Sequence, residues 1–349
     1  MARRFLPLGV AAGMLLVGTC APPLERTDQL AALVPVASDA VGISRIVADR
    51  FVAADGEDLP LRSWLPPGEP RAVILALHGF NDYSNAFDIP AALWVERGIA
   101  TYAYDQRGFG ASRSRALWAG TSQLAADAAS ASRALRALHP GRPLYLLGES
   151  MGGAVAVVAM TGDSAPPPDV DGVILAAPAL WGRETMELVP KLALWFSVRL
   201  FPEMTLSGRG LQIQASDNLP MLRALGRDPW IIKGSRIDSV YGLVNLMDAA
   251  LAAAPRYTAP TLLLYGAHDE LVPREPLRNF VAHLPPGGAD QRRLAYYPGG
   301  YHLLLRDLDG RAVAADVAAW VLDRRDPLPS RADGIEIARP WPPRREGAG

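Results

Sequence analysis

The chain has 349 residues, half of them apolar, and a formal net charge of -1 at neutral pH. That length buries enough apolar surface to fold without covalent staples, and the near balance of charge gives no pull toward nucleic acid. A single cysteine, Cys20, excludes an intrachain disulfide and any cysteine-ligated metal site.

Ala2-Arg3-Arg4 is a short basic start, and Phe5 to Val17 is an apolar run broken only by Pro7, Gly9 and Gly13. This is the layout of an export signal, too short for a stable bilayer span. Leu16-Val17-Gly18-Thr19-Cys20 resembles a bacterial lipobox, with Thr19 where a smaller residue is usual. In that motif the cysteine takes a lipid and becomes the mature N-terminus. Residues 1–20 are thus expected to be a signal peptide of lipoprotein type, with Cys20 as the lipidation site. The expected location is the cell envelope on the periplasmic side, a soluble exported protein being the alternative. Residues 21–48 read as a tether.

Organisation begins at Asp49. Arg50 to Ala54 and Leu59 to Trp64 flank Asp55-Gly56, which predicts an antiparallel hairpin at a sheet edge. Three apolar runs follow, each closed by a glycine loop and a helical pattern: Ala72 to Leu77, Ile99 to Tyr104 and Leu144 to Leu147. A fourth, Val173 to Ala177, stops at Pro178. Continuous apolar strands separated by helices predict a parallel sheet covered on both faces. Thr121 to His139 is expected as a helix capped by Thr121, with Leu124, Ala128, Ala131, Leu135 and Leu138 on one face.

Two later strands are expected at Thr261 to Tyr265 and Leu294 to Tyr297. Between them and the fourth run, Ala179 to Arg256 is helical in pattern, interrupted by Pro190, Pro202, Pro220 and Pro229. It is rich in apolar residues, notably Leu192 to Phe201. The end of the chain turns polar and rich in proline and arginine, and is expected to be disordered or loosely docked. The organisation read from this pattern is a core of 49–178 and 257–322, an insertion of 179–256, and a tail of 323–349.

Gly148-Glu149-Ser150-Met151-Gly152 fits G-x-S-x-G, a serine on a sharp strand-to-helix turn. The glycines are needed because bulk two residues either side would collide across that turn. Leu144 to Leu147 supplies the strand, and the small residues from Gly153 to Ala159 supply the helix. Its N-terminus offers free N–H groups to developing negative charge.

A serine hydroxyl attacks only when a base takes its proton and a third group orients the base. On this elbow the chain order is serine, acid, histidine. His78 and His139 precede Ser150 and are excluded by that order. His283 lies in an amphipathic stretch, and His268 sits on the loop where the acid belongs. His302 follows the final strand in a glycine-rich loop and is the candidate base. Asp269 stands just past the Thr261 to Tyr265 strand and is the candidate acid, with Glu270 as rival and helix capping as the bland alternative. Met151 N–H and Phe80 N–H, in His78-Gly79-Phe80, are the candidate oxyanion donors. His78 is expected to order that loop.

His78-Gly79, Asp105 to Ser112, Gly148 to Gly153, Tyr265 to Asp269 with Val272-Pro273, and Tyr301-His302 together resemble the monoacylglycerol lipase and lysophospholipase group of α/β-hydrolases. The resemblance implies a mostly parallel eight-stranded sheet flanked by helices, with 179–256 as an inserted helical cap. It implies Ser150, Asp269 and His302 as the triad, Phe80 and Met151 as oxyanion donors, and hydrolysis of single-chain acyl esters through an acyl-enzyme. Glu149 departs from the histidine that many members carry there. Trp181, Trp195 and Phe196 in the cap are candidate substrate contacts, or else they pack the cap onto the sheet.

The expected substrate is a small amphiphilic ester, with membrane association through an N-terminal lipid and no nucleic-acid partner. Three other readings stay open, of which a broad carboxylesterase on the same triad is one. An aminopeptidase or amidase on the same triad needs clustered acids to hold an amine, whereas Glu184, Glu187 and Asp217 are scattered. A non-catalytic binding protein is disfavoured by an intact Ser/Asp/His set. Neither a metal site nor a cofactor is implied, because the histidines are dispersed and Gly108-Phe109-Gly110 lacks the third glycine of a dinucleotide fingerprint.

Overall fold

The computed structural model describes residues 42–163, 165–208, 213–287 and 291–334. In chain order it holds β1 (Arg45–Val47), β2 (Arg50–Val52), β3 (Asp58–Trp64), β4 (Ala72–Leu77), α1 (Asp88–Val95), β5 (Ile99–Tyr104), α2 (Thr121–Leu138), β6 (Leu144–Glu149), α3 (Met151–Thr161) and β7 (Gly172–Ala176). Then come α4 (Leu188–Leu200), β8 (Thr205–Leu206), α5 (Leu219–Arg227), β9 (Ser235–Arg236), α6 (Ile237–Ala253), β10 (Thr261–Gly266), α7 (Arg274–His283), β11 (Arg292–Tyr297) and α8 (Gly310–Leu322).

Nine strands form the main sheet in the order β1-β2-β3-β5-β4-β6-β7-β10-β11. The six from β5 to β11 run parallel, and β1 to β3 add an antiparallel edge. The predicted hairpin is β2 and β3. The ninth strand is β1, which pairs with β2 and lies inside the stretch read as tether. Three residues with two solvent-facing positions carry too little pattern to be recognised as a strand.

Strand periodicity explains the two cores. Val73, Leu75 and Leu77 of β4 point into one cluster with Leu124 and Ala128 of α2, Val155 of α3 and Val244 of α6. Ile74 and Ala76 point into the other, with Trp94 of α1 and Val313, Val317 and Trp320 of α8. Both faces are covered, which is why β4 to β7 and β10 are buried along their length.

Two expectations change in detail and two are refined. Thr121 does not cap α2: Gly120 holds the cap position at φ 95°, and the buried Thr121 hydroxyl has no partner among the described residues. Leu138 is half exposed while Leu124, Ala128, Ala131 and Leu135 are buried. The last helix of the insertion, α6, belongs to the core, burying Ile237, Val244, Leu246, Met247, Ala250 and Ala253. Only the stretch before it stands off as a cap. Residues 323–334 of the tail are docked: Leu328 is buried, Ser330 N–H donates to Asp316, and Tyr296 N–H donates to the Ala332 carbonyl.

Candidate active site

Chain order doubles back between β4 and β6, which are neighbours although β5 comes between them in sequence. At such a switch point the loops leaving the strand ends diverge and open a crevice. Phe80 follows β4 and Ser150 follows β6, so both lie at its rim.

Ser150 has φ 54° and ψ -115°, a strained conformation for a residue with a side chain. The flanking glycines make the turn possible. A Cβ on Gly152 would stand 2.1 Å from the Leu77 carbonyl oxygen, and one on Gly148 would stand 2.3 Å from the Gly152 carbonyl oxygen. The turn is clamped by backbone: Ser150 N–H donates to Ala176 O at 2.9 Å, and Ala179 N–H donates to Ser150 O at 2.9 Å. The hydroxyl itself makes no hydrogen bond among the described residues.

His302 and Asp269 are joined. Nδ1 of the ring lies 2.8 Å from Asp269 Oδ2, and both residues are buried. Oδ1 of Asp269 accepts the Leu271 and Val272 N–H groups at 2.9 Å. Asp269 therefore orients a ring and does not cap a helix, since α7 begins at Arg274 behind Pro273. The two loops fit closely: a Cβ on Gly266 would meet the Gly300 carbonyl oxygen at 2.4 Å. Glu270 is exposed and accepts the Gln214 N–H. His268 is exposed and stacks on Tyr301, and His283 is exposed on α7. Ser150, Asp269 and His302 thus follow β6, β10 and β11 at one end of the sheet.

The loop after β4 abuts the elbow, for a Cβ on Gly79 would stand 3.3 Å from the Ser150 Cβ. His78 orders this loop. Gln106 N–H donates to its Nε2 at 3.0 Å, which leaves the proton on Nδ1 for the Gly79 carbonyl at 2.9 Å. Burial lowers the pKa of this ring and favours its neutral form. The N–H groups of Phe80 and Met151 meet no acceptor among the described residues.

Of the cap aromatics, Trp181 is partly buried against the core. Trp195 and Phe196 pack edge to face at 4.7 Å, with the Arg199 guanidinium over the Trp195 ring, and both are about half exposed. Among the described residues no cluster of His, Cys, Asp or Glu could hold a metal ion.

Sequence reasoning missed Arg306. Its guanidinium is buried and forks to Asp82 at 2.8 Å and Glu149 at 2.6 Å. Burial pushes the Glu149 carboxyl above its ordinary value, Arg306 opposing it. Burial would loosen the Arg306 proton, yet Asp82 and Glu149 outweigh it and hold that proton tightly. The only signal for this cluster was Glu149 itself, an acid beside the nucleophile.

A doubly covered parallel sheet, a strained serine at its switch point and a histidine–carboxylate pair at the same edge define an α/β-hydrolase, an enzyme of the serine ester hydrolase class. The family described as serine aminopeptidase, S33, matches residues 68–309, and the chain belongs to it. A monoglyceride lipase of Mus musculus is 28% identical over 279 residues, covering 78% of this chain and 90% of the relative. A monoacylglycerol lipase of Mycolicibacterium smegmatis is 23% identical over 284 residues, covering 78% and 95%. The crystal structure of Paleococcus ferrophilus monoacylglycerol lipase superposes with a TM-score of 0.60 at 22% identity, covering 76% of this chain and 98% of that one.

Proposed function

We propose that this enzyme cleaves carboxylic esters of single-chain acyl lipids, of the monoacylglycerol or lysophospholipid type, with Ser150, His302 and Asp269 as its triad. The observation that carries the reading is the 2.8 Å bond from His302 Nδ1 to Asp269, at the same sheet edge as the strained Ser150. With Nδ1–H given to the carboxylate, Nε2 is left as the basic nitrogen.

His302 takes the hydroxyl proton as Ser150 Oγ attacks the ester carbonyl. The resulting oxyanion receives the Phe80 and Met151 N–H groups. Collapse expels the alcohol, which takes the proton from His302, and leaves an acyl-serine. Water, deprotonated by the same ring, attacks the acyl-serine, and collapse releases the fatty acid while His302 returns the proton to Ser150 Oγ. Asp269 holds the ring tautomer and stabilises the imidazolium in both halves.

Two features support a lipid substrate. The relatives are named for monoacylglycerol cleavage. The cap helix α4 presents Leu188, Val189, Leu192, Trp195, Phe196 and Leu200 to the outside, an apolar surface suited to acyl chains. Cys20 lies outside the described residues. As a lipid attachment site it would keep the enzyme at an envelope membrane, where such esters reside.

The test pairs an active-site probe with a substrate panel. A fluorophosphonate should label the wild type, and Ser150→Ala should abolish labelling and lower kcat roughly 10⁴- to 10⁶-fold. Asp269→Asn should lower kcat about 10⁴-fold while labelling persists slowly. Fatty acid should be released from monoacylglycerols and lysophospholipids in preference to short aryl esters. Because the matching family is described by a peptidase, the panel includes aminoacyl nitroanilides. Faster turnover of those would replace the lipid reading with the amidase one.

A further inference from the structure

Three loops must be held in register for the proposed chemistry: the oxyanion loop after β4, the elbow after β6 and the base's loop after β11. Strand pairing fixes where each loop leaves the sheet, not where its tip lies. One side chain reaches all three. Arg306 sits four residues past His302, donates from one terminal nitrogen to Asp82, two residues past Phe80, and donates from the other to Glu149, next to Ser150. We propose that Arg306 is a positioning residue, whose buried guanidinium ties the base's loop to the oxyanion loop and the nucleophile elbow. The proposal rests on the Ser150–His302 reading above.

Three observations favour positioning over simple stability. First, the cluster is a poor source of stability. Asp82, Glu149 and Arg306 are 8%, 1% and 3% exposed, and the Arg306 Nε is buried with no partner among the described residues. Desolvating such groups consumes most of their attraction, so apolar replacements of a whole buried cluster are often neutral or better. Second, the side chain and N–H of Arg306 are bonded to loops of the site, and its carbonyl is bonded to the cap. Its carbonyl accepts Asn218 Nδ2 from the cap at 2.9 Å, and its N–H donates to Leu303, next to the base. Third, the geometry needs a fork. Two carboxylates from different loops are held by the two terminal nitrogens of one planar group, which a lysine ammonium does not reproduce.

Arg306→Lys and Arg306→Met should lower kcat on a soluble aryl ester about ten- to a hundredfold, the penalty typical of an ångström-scale misplacement. KM should stay within about twofold, since no substrate contact is lost. Fluorophosphonate labelling of Ser150 should slow in parallel with kcat. The triple variant Asp82→Asn, Glu149→Gln, Arg306→Met removes every charge of the cluster. It should recover most of the melting temperature lost by Arg306→Met, while kcat stays low.

A triple variant with both melting temperature and kcat restored would overturn the proposal, as would Arg306→Lys with lowered melting temperature but unchanged turnover per labelled serine. If the wild type takes no probe at Ser150, the triad reading itself has failed. That result is distinct from a labelled wild type whose Arg306 variants react just as fast.

Discussion

Ser150 occupies its strained turn because its neighbours leave no room for any other path. The Leu77 carbonyl oxygen would stand 2.1 Å from a methyl on Gly152, and a backbone carbonyl in a central strand cannot yield. Gly152→Ala should therefore cost several kcal/mol, or prevent accumulation of folded protein, read by thermal melting and soluble yield. Gly299→Ala is the control: nothing lies within 4 Å of its added methyl, and its φ is not in the left-handed region. Its melting temperature should match the wild type.

Glu149 gives a second test at this scale. Burial raises its pKa above the ordinary 4.5, so the folded state binds this proton more tightly than the unfolded chain. The stability this contributes is complete below the unfolded value and is lost as pH rises through the folded one. Asp127 and Asp307, also raised by burial, add the same sign. Glu149→Gln cannot titrate. Urea midpoints measured at about pH 4 and about pH 7 should show the wild type losing ground to Glu149→Gln at the higher pH. A shift the other way would mean that the charged form is the favoured one in the fold. The elbow serine and the candidate acid and base were legible as residues because each carries a local signature. Arg306 was not, because its two partners lie far away in sequence.

Helices and strands differ in how openly they announced themselves. β4 to β7 and β10 were readable because strands buried on both faces must be apolar at every position. β1 escaped notice because an edge strand needs only backbone partners. Thr121 looked like a cap by residue type, yet Gly120 at φ 95° turns the chain into the helix without a side-chain bond. In the insertion, α4 and α6 are both apolar, but their faces meet different surroundings. α6 packs against α3, while α4 leaves Leu188 and Val189 68% and 75% exposed. If α4 receives acyl chains, Trp195→Ala with Phe196→Ala should raise KM for a long-chain monoacylglycerol about tenfold, the scale of one large apolar side chain. Turnover of a short aryl ester should be unchanged. An equal loss on both esters would assign the pair a structural role.

Across the whole molecule, the sheet gathers residues that the chain keeps far apart. Order reversal between β4 and β6 opens the crevice, and parallel β10 and β11 deliver Asp269 and His302 to the same edge. The cap then docks on two of the three loops. Leu303 N–H donates to the Ala215 carbonyl, and the Ile232 N–H donates to the Asn81 carbonyl. At the other end of the chain, lipid attachment predicts that Cys20→Ala, expressed in a bacterium, moves the enzyme from the membrane fraction to the soluble one. It also predicts loss of palmitate labelling. Unlabelled wild type would leave a plain export signal.

Read along the chain, the residues already specify the sheet class, the elbow, and an acid and a histidine that follow the serine in that order. Those rest on local rules: apolar strands between helices, glycines around a strained serine, and loops at strand ends. Folding in three dimensions is what bonds Asp269 to His302, makes α6 core while α4 stays exposed, and lets one arginine link Asp82 to Glu149. Each of these depends on which surfaces meet across the sheet, and no spacing along the chain encodes that.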